Sequence, residues 1–260
     1  MSAEATPQDA ATVVLLRNGP RGRGPLEVLL LERPPHAAFA PGATVFPGGR
    51  VESADRDPGW LARCRAEIVD PRAPLAVAIA AIRECFEETG LLLAIDPRGR
   101  AVGRDHTGAL ATLRRRLLAG DASALREGLN RLGLRPAVAS LVFCAHWITP
   151  AGLPRRYDTR FYLARAPEEE ARGAETGGES VRWGWTTPAA ALEHGRTRAW
   201  QILPPTRAVL AGVGAHRTCA EALAAARTAP VVTVRPELAD VTPARVPGLD
   251  PAVLLGADGG

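Results

Sequence analysis

Two short apolar runs with β-branched residues lie near the start of the chain, at Ala11 to Arg17 and Leu26 to Glu32. Asn18-Gly19-Pro20 follows the first run directly, a composition typical of a tight turn between two strands. The pattern therefore predicts a β-hairpin. A further short strand is predicted at Ala43 to Phe46, followed by a turn at Gly48-Gly49, where a backbone carbonyl can approach a ligand without interference from side chains.

The segment from Leu75 to Leu92 carries apolar residues at the spacing of one helix face. We predict one helix here, with Gly90 as its C-terminal cap. Its acidic residues are expected to face outward. The apolar residues that we expect to face a sheet are Val77, Ile79, Ile82 and Phe86.

Leucines at helical spacing in the charged segment 96–135 predict helices that pack on the core or cover a site. Later apolar runs predict three strands, at Val138 to Trp147, Thr159 to Ala164 and Val181 to Trp185. From residue 188 onward the pattern is helical, and the predicted helices are Ala189 to His194, Ile202 to Val213 and Cys219 to Thr228. This order of elements indicates an α/β (α+β) fold in which helices enclose a mixed β-sheet.

The length of 260 residues and the hydrophobic content of 46% suffice for one core with room for a terminal appendage. We predict a flexible N-terminus at 1–10, one folded domain at 11–190, and a helical C-terminal extension with a tail at 191–260. The proline-, glycine- and valine-rich tail either packs on the domain or exchanges with a partner subunit. For the oligomeric state the sequence offers only the general frequency of homodimers.

Charge, cysteine content and hydropathy argue against several classes of protein. The net charge of +4 comes from arginine alone, and the arginines are spread along the chain rather than forming a basic stripe, so we expect no nucleic-acid partner. Four cysteines without a CxxC pair argue against a zinc ribbon. No apolar run approaches the roughly 20 residues that a membrane helix needs, so we expect a cytoplasmic protein without a membrane partner.

Three carboxylates occur within two turns of the predicted first helix. Glu84, Glu87 and Glu88 are three and four residues apart, so their side chains project from one face. Carboxylates held this closely repel one another unless a cation lies among them, and hard oxygen ligands suit Mg²⁺ or Mn²⁺. The alternative is an exposed acidic helix face. Arg83, four residues before Glu87, either forms a salt bridge that shapes the site or contacts a substrate.

The segments Phe46 to Glu52 and Arg83 to Leu91 together resemble the Nudix box. Arg83 to Leu91 matches the second half of this family's pattern at every specified position, counting Cys85 as the small apolar residue. The resemblance implies a Nudix-like α/β/α sandwich and metal-dependent hydrolysis of a nucleoside diphosphate linked to another group. It also implies Mg²⁺ or Mn²⁺ as the cofactor, held by Glu84, Glu87, Glu88 and the carbonyl of Gly49.

The resemblance gives the catalytic residues as Arg83, Glu84, Glu87 and Glu88. Glu84 is our first candidate for the acid that also helps to deprotonate the attacking water. In this family the base can instead come from a later loop, for which the candidates are Glu175 and Glu179. For both loop residues, a place as a solvated surface acid agrees equally well with the sequence.

Two positions depart from the Nudix pattern. The expected glutamate is Asp55, which we interpret as structural rather than as a metal ligand. The segment between Asp55 and Arg83 is twenty residues longer than usual. This insert, residues 56–75, is rich in proline, so we predict a partly irregular loop that bulges from the domain and contains a short helix from about Trp60 to Ile68.

A narrower resemblance concerns the coenzyme A diphosphatases. Leu29 to Arg33 followed by Gly42 to Gly49 is similar to the stretch before the Nudix box in these enzymes, although an arginine expected there is Ala38. The long insert, together with Trp147 to Pro150 and Pro154 to Phe161, resembles the eukaryotic peroxisomal branch, but the C-terminal residues form no peroxisomal Ser-Lys-Leu-type signal. The resemblance implies coenzyme A or an acyl derivative as the substrate.

Four arginines are candidates for binding phosphate through forked hydrogen bonds, although for each one taken separately the sequence favours a place on the surface or at a strand edge. They are Arg33, Arg155, Arg156 and Arg160. Trp147 and Tyr157 either stack on adenine or belong to the core.

Three functions remain open from the sequence. Hydrolysis of coenzyme A or acyl-coenzyme A is favoured, and ADP-ribose, a dinucleotide or an oxidised nucleotide forms the second substrate class, because the box determines the chemistry but not the leaving group. A non-catalytic nucleotide-binding regulator is the third. Its usual sign would be the loss of a box glutamate, and all three glutamates are present.

Overall fold

A mixed β-sheet forms the centre of the computed structural model, which describes residues 5–19, 22–37, 39–64, 72–102, 106–167 and 182–237. The strands are β1 (Gln8–Asn18), β2 (Leu26–Glu32), β3 (Ala43–Val45), β4 (Gly48–Arg50), β5 (Ala94–Ile95), β6 (Arg135–Pro136), β7 (Val142–Ile148), β8 (Tyr157–Arg165), β9 (Arg182–Thr186), β10 (Gln201–Ile202) and β11 (Thr233–Val234). The α-helices are α1 (Leu75–Thr89), α2 (Thr107–Leu118), α3 (Ala124–Arg131), α4 (Pro188–Arg196), α5 (Pro204–Gly214) and α6 (Cys219–Thr228).

The long strand β1 organises the main sheet. Within the described residues nine strands form this sheet in the order β10-β3-β2-β1-β8-β7-β11, with β4 paired to β1 and β9 paired to β2. β1 runs parallel to β8, from Gln8 opposite Tyr157 to Leu16 opposite Arg165. On its other side β4 pairs with the beginning of β1 and β2 pairs with its end. β5 and β6 form a separate two-stranded ribbon.

Helices cover both faces of the sheet, and the side chains of β1 point alternately into the two cores. Val13 and Leu15 are buried in the core that α1, α2 and α3 complete. Val14 and Leu16 are buried on the opposite face, in the core that α4, α5 and α6 complete. This burial on both faces explains why β1 is continuously apolar rather than alternating. Most of the second helical layer comes from the segment that we assigned to a C-terminal extension.

The predicted α/β fold with a mixed sheet is confirmed, and α6 has the predicted bounds. Helix α1 ends three residues earlier than predicted, because Gly90 is left-handed with φ of 77° and its N–H donates to the Phe86 carbonyl. The prediction of a helix from Ile202 was wrong. Leu203 is extended because it precedes Pro204, so α5 begins at Pro204 and Ile202 belongs to β10. A 3₁₀ turn at Val138–Ser140 likewise replaces the start of the predicted strand β7.

The prediction of a turn at Gly48 and Gly49 was also wrong, because both residues lie in strand β4. They pair with Thr12 and Ala11 of β1, and neither has a positive φ. These positions need glycine because of close packing. A Cβ atom on Gly48 would collide with the carbonyl oxygen of Ala11, and one on Gly49 would collide with the carboxylate of Glu84.

The first part of the insert packs against the domain instead of bulging from it. A 3₁₀ turn at Ala54–Arg56 precedes the predicted short helix. A second 3₁₀ turn at Pro58–Trp60 ends where that helix was predicted to begin. Trp60 is only 2% exposed and belongs to the first core, where its Nε1–H donates to the Ala54 carbonyl over 3.0 Å. The rest of the predicted helix, from residue 65 to about Ile68, lies outside the described part of the chain.

The last described residues run along one edge of the main sheet. β11 pairs in parallel with β7, with Thr233 opposite His146. The beginning of the predicted tail therefore packs on the domain, whereas residues 238–260 lie outside the described part. None of the described helices is long and apolar enough to cross a membrane.

Candidate active site

A cavity of about 400 Å³ opens where β1, β4 and α1 meet the end of β7. It brings together residues that are far apart in the sequence, because the central position of β1 joins the hairpin segment to β8 and β7. The lining residues that the sequence singled out are Arg33, Gly49, Arg83, Glu84, Glu87, Glu88, Trp147 and Tyr157. Trp147 and Tyr157 are both half-buried.

Arg83 is the central buried group beneath the cavity and is only 1% exposed. Its Nε and Nη2 donate to the two carboxylate oxygens of Asp55 over 3.0 and 2.9 Å. Its Nη1 donates to Glu84 and Glu87 over 2.9 and 3.1 Å, and Nη2 also donates to the Arg50 carbonyl over 2.9 Å. These bonds use all five N–H donors of a guanidinium. The geometry therefore fits the salt-bridge interpretation of Arg83 rather than a direct substrate contact.

The electrostatics of Arg83 agree with this placement. Burial alone would lower its pKa, but the hydrogen bond to Asp55 and the charges of Glu84, Asp55 and Glu87 outweigh burial and raise the pKa. Asp55 also accepts a 2.8 Å hydrogen bond from the Glu52 N–H. Asp55 thus connects α1 to the segment after β4, which is the structural role that we predicted for it.

The three glutamates face the cavity rather than bulk solvent, so the prediction of an outward-facing acidic helix surface was wrong. Their side chains are half-buried, with exposed fractions of 14% for Glu84 and 18% for Glu87. Glu88 accepts a 3.0 Å hydrogen bond from the Gly48 N–H. The apolar residues of α1 are buried in the first core, and the three glutamates occupy the part of the helix surface that lines the cavity.

Burial changes the acidity of all three carboxyl groups. Burial raises the pKa of Glu84 to about 7, with Arg83 opposing the shift and Glu87 adding to it. Burial and the charge of Glu84 raise the pKa of Glu88 well above its usual range. Burial also raises the pKa of Glu87, although Arg83 works in the opposite direction. These three raised pKa values indicate that the nearby positive charge is too small to balance the negative charge of the glutamates.

The chemistry of the donor set fits a divalent cation. Glu84 and Glu87 are turned toward Arg83, and among the described residues no group of three acidic, histidine or cysteine side chains is already arranged to hold a metal ion. Nevertheless, three neighbouring carboxylates with raised pKa values are hard oxygen ligands, which suit Mg²⁺ or Mn²⁺. The absence of a Cβ atom at Gly49 leaves room for the Glu84 carboxylate against β4.

The metal-free protein is expected to lose stability as the pH rises from about 4.5 to about 7. In this range folded Glu84, with its pKa near 7, still binds a proton that the unfolded chain, with an ordinary pKa of 4.5, has released. We expect the melting temperature in EDTA to be lower at pH 7.5 than at pH 5, and the difference to be smaller in Glu84→Gln. An equal difference in both proteins would contradict the assignment of this pH dependence to Glu84.

The structure separates the four candidate arginines. Arg33 lines the cavity, and its Nε donates to the Phe39 carbonyl over 3.0 Å. Arg155 and Arg156 line an adjoining groove instead. Arg160 lies in neither place. It forms ion pairs with Asp9 and Asp158 at 3.0 and 3.1 Å, so its predicted contact with substrate phosphate does not agree with its position. The alternative bases Glu175 and Glu179 lie outside the described residues.

Several site residues were missed by the sequence interpretation. Glu52 lines the cavity and adds to the raised pKa of Glu87; its place in the glycine-rich segment was the available signal. Arg114 of α2 donates to the carbonyls of Glu87 and Glu88 over 3.0 and 3.2 Å and so holds the end of α1 in place. Five further lining residues belong to no motif, namely Leu203, Pro204, Pro205, Thr206 and Pro236.

Comparison with known proteins points to one family. The family model described as the NUDT19 Nudix domain matches residues 69–210. The acyl-coenzyme A diphosphatase NUDT19 of Gallus gallus is 31% identical, and the alignment covers 76% of this chain and 65% of that protein. The Homo sapiens protein of the same name is 30% identical, with coverages of 68% and 58%. The chain therefore spans less than two thirds of the length of these curated relatives.

A solved structure with a similar fold is that of a Nudix hydrolase from Alicyclobacillus acidocaldarius. The TM-score is 0.70 at 27% identity, and the match covers 88% of this chain and 100% of that chain. The structural match therefore covers a larger part of this chain than the residues that the family model matches. The similarity of fold therefore extends beyond residues 69–210.

Proposed function

Because this chain belongs to the Nudix family, with a match to the model described as the NUDT19 Nudix domain, we propose that it is a divalent-metal-dependent diphosphatase. The proposed substrate is coenzyme A or acyl-coenzyme A, and the products are 3′,5′-ADP and phosphopantetheine or its acyl derivative. The observation that carries the proposal is the cavity whose lining brings Glu84, Glu87 and Glu88 together with the aromatic residues Trp147 and Tyr157. The names of the NUDT19 relatives support the choice of substrate.

Each residue has a defined part in this proposal. Glu84, Glu87, Glu88 and the carbonyl oxygen of Gly49 would hold Mg²⁺ or Mn²⁺. The cation would offset negative charge on the diphosphate and lower the pKa of the attacking water. Glu84 is the first candidate to accept a proton from that water, as the resemblance to the Nudix box implies. Arg83 keeps Glu84 and Glu87 in place through its buried hydrogen bonds.

The reaction needs only water as a second reactant. Hydrolysis breaks one P–O bond of the diphosphate, the water oxygen bonds to that phosphorus, and a water proton is released through the base. The displaced oxygen leaves as part of the other phosphate group. The glutamates supply oxygen ligands and a proton acceptor, so no group outside this chain other than the cation is required.

The test is hydrolysis by the purified protein in Mg²⁺ or Mn²⁺, with coenzyme A, ADP-ribose, NADH and nucleoside triphosphates compared at equal concentration. We expect selective conversion of coenzyme A to 3′,5′-ADP and phosphopantetheine, and its loss in Glu87→Gln. Glu193→Gln is the matched control, because Glu193 is an exposed glutamate of α4 away from the cavity. Selective cleavage of ADP-ribose or NADH would show that the proposed substrate is wrong. Absence of metal-dependent turnover of every compound would contradict the proposed reaction itself.

Alanine substitutions at the two glycines of β4 are expected to have different effects. In Gly49→Ala the new Cβ meets the end of the Glu84 side chain, so we expect turnover to fall by about 10²-fold through misplacement of Glu84. In Gly48→Ala the Cβ meets the backbone of Ala11 in β1, so we expect a loss of about 2 kcal/mol in the free energy of unfolding. Urea unfolding and turnover measured on both variants check this, and equal losses of stability would contradict it.

A further inference from the structure

Part of the cavity lining comes from the start of helix α5, and we call this part the α5 patch. Four consecutive residues at the start of α5 all line the cavity. The first of them, Leu203, belongs to a small apolar cluster against which two further lining residues pack. The α5 patch is defined by these six residues, Phe39, Val45, Leu203, Pro204, Pro205 and Thr206.

Strand pairing places the α5 patch close to the glutamates of α1. β10 pairs with β3, with Ile202 opposite Thr44, so the chain enters α5 beside the end of β3. Three residues after Val45, Gly48 begins β4 and donates its N–H to Glu88. Three residues of extended chain span at most about 10 Å. A molecule whose diphosphate lies against the glutamates therefore has its next group within reach of the α5 patch.

The start of α5 lacks most of the donors with which helices bind anions. The N–H groups in the first turn of a helix have no partner within the helix and attract phosphate. Pro204 and Pro205 occupy the first two positions of α5 and have no N–H. None of the six residues of the α5 patch is charged. The patch is therefore suited to an uncharged group with apolar surface rather than to a phosphate.

Thr206 supplies the one polar side chain of the α5 patch. The residue is only 4% exposed, so its side chain is enclosed by the protein. Its hydroxyl forms no hydrogen bond with another described residue, and the hydroxyl oxygen is not fully covered by protein atoms, so it is open to the cavity that Thr206 lines. An enclosed hydroxyl regains a lost hydrogen bond when a bound molecule supplies a partner.

We propose that the α5 patch binds the pantetheine arm of the substrate and that Thr206 determines specificity by donating its hydroxyl hydrogen to the first amide carbonyl of this arm. The proposal rests on the proposed function, since it assumes that the diphosphate lies against the glutamates of α1. In phosphopantetheine a carbon with two methyl groups lies next to the phosphate end, followed by a secondary alcohol and an amide. The methyl groups match Leu203 and the two prolines, and the carbonyl matches Thr206.

The same chemistry explains how the patch discriminates between substrates. ADP-ribose and NADH carry a second ribose beyond the diphosphate, which has several hydroxyl groups and no methyl group. A ribose at the α5 patch would leave most of these hydroxyl groups against apolar side chains without a hydrogen-bond partner, which is unfavourable. The α5 patch therefore favours coenzyme A over both compounds.

The direct test is calorimetric titration with 4′-phosphopantetheine and with 3′,5′-ADP, which needs no turnover. Thr206→Val removes the hydroxyl and keeps nearly the same shape, so we expect about five- to tenfold weaker binding of 4′-phosphopantetheine, the worth of one hydrogen bond. Binding of 3′,5′-ADP should not change, and Thr206→Ser should restore most of the lost affinity. Thr44→Val is the matched control, because Thr44 is also buried but does not line the cavity.

Steady-state kinetics supply a second readout on the same variants. Thr206→Val should raise KM for coenzyme A by about five- to tenfold and leave kcat nearly unchanged, because the hydroxyl contacts the arm equally before and during the reaction. A structural defect at Thr206 would lower kcat as well, and Thr206→Ser would not correct it.

The two measurements distinguish failure of this inference from failure of the proposed function. Binding of 4′-phosphopantetheine that depends on Thr206, without hydrolysis of coenzyme A, would keep the α5 patch and overturn the proposed reaction. Hydrolysis of coenzyme A with unchanged or undetectable binding of 4′-phosphopantetheine in Thr206→Val and the unmodified protein alike would overturn the α5 patch. Weaker binding of 3′,5′-ADP alone would place the nucleoside at α5 and would also overturn it.

Discussion

Arg83→Ala is expected to destabilise the protein by about 3–5 kcal/mol, the range found when one partner of a buried ion pair is removed. The substitution leaves Asp55, which is 2% exposed, without its guanidinium partner. It also removes the hydrogen bonds that hold Glu84 and Glu87, so turnover should be lost together with stability. Urea unfolding followed by circular dichroism measures the change, and the m-value should stay the same if only stability has changed.

Arg116→Ala is the matched control for this prediction. Arg116 also pairs with two acids, Asp121 and Glu127, at 2.6 and 2.9 Å, but its side chain is 35% exposed. Surface ion pairs contribute little, so we expect a much smaller loss of stability than in Arg83→Ala. Similar losses for the two variants would show that burial does not determine the importance of Arg83. A stable but inactive Arg83→Ala protein would instead assign Arg83 to the chemistry alone.

The same residues show how far the sequence could lead. The Nudix pattern identified Arg83 and its glutamates because their spacing within one helix is fixed by covalent geometry. The partner of Arg83 is 28 positions away, and no local pattern indicates whether the insert between them lets Asp55 reach α1. The structure supplies the answer, since Trp60 anchors the insert in the first core.

Local signals were least informative where one residue type serves two purposes. Glycine marks turns, and it also marks strands that approach another chain segment closely, so Gly48 and Gly49 were identified correctly as special but placed in a turn. Arginine has the same ambiguity. Arg160 and Arg155 look equivalent in the sequence, but Asp9, which neutralises Arg160, is 151 positions away and meets it only through the pairing of β1 with β8.

The lining residues 203–206 and 236 could not have been identified from local patterns. These residues reach the cavity because β10 pairs with β3 and β11 pairs with β7, at opposite edges of the main sheet. Pairing of strands that are distant in the chain depends on packing across the whole sheet rather than on any short segment. A helix of the C-terminal segment such as α6 could therefore be predicted from the sequence. That residues of this segment line the cavity could not be predicted.

Glu88→Gln is expected to lower kcat for the proposed reaction by about 10³-fold, while raising the stability of the metal-free protein. If Glu88 is one of the proposed ligands, its loss would weaken the stabilisation of the diphosphate by the cation, and removal of a single electrostatic group from an active site commonly costs this much. Stability should rise because a buried carboxylate next to Glu84 is replaced by a neutral amide, whose oxygen still accepts the hydrogen bond from Gly48. Turnover at saturating Mg²⁺ and melting temperature in EDTA at pH 8 measure the two effects.

The opposite signs of these two effects make the prediction specific, since a merely damaged fold would lower both quantities. Glu193→Gln, on the exposed surface of α4, should change neither. The gain in melting temperature should disappear when the experiment is repeated near pH 5, where the raised pKa keeps Glu88 protonated and the two side chains have the same charge. Turnover within tenfold of the unmodified protein would remove Glu88 from the proposed ligands, and a lower melting temperature at pH 8 would show that the neighbouring carboxylates do not oppose folding.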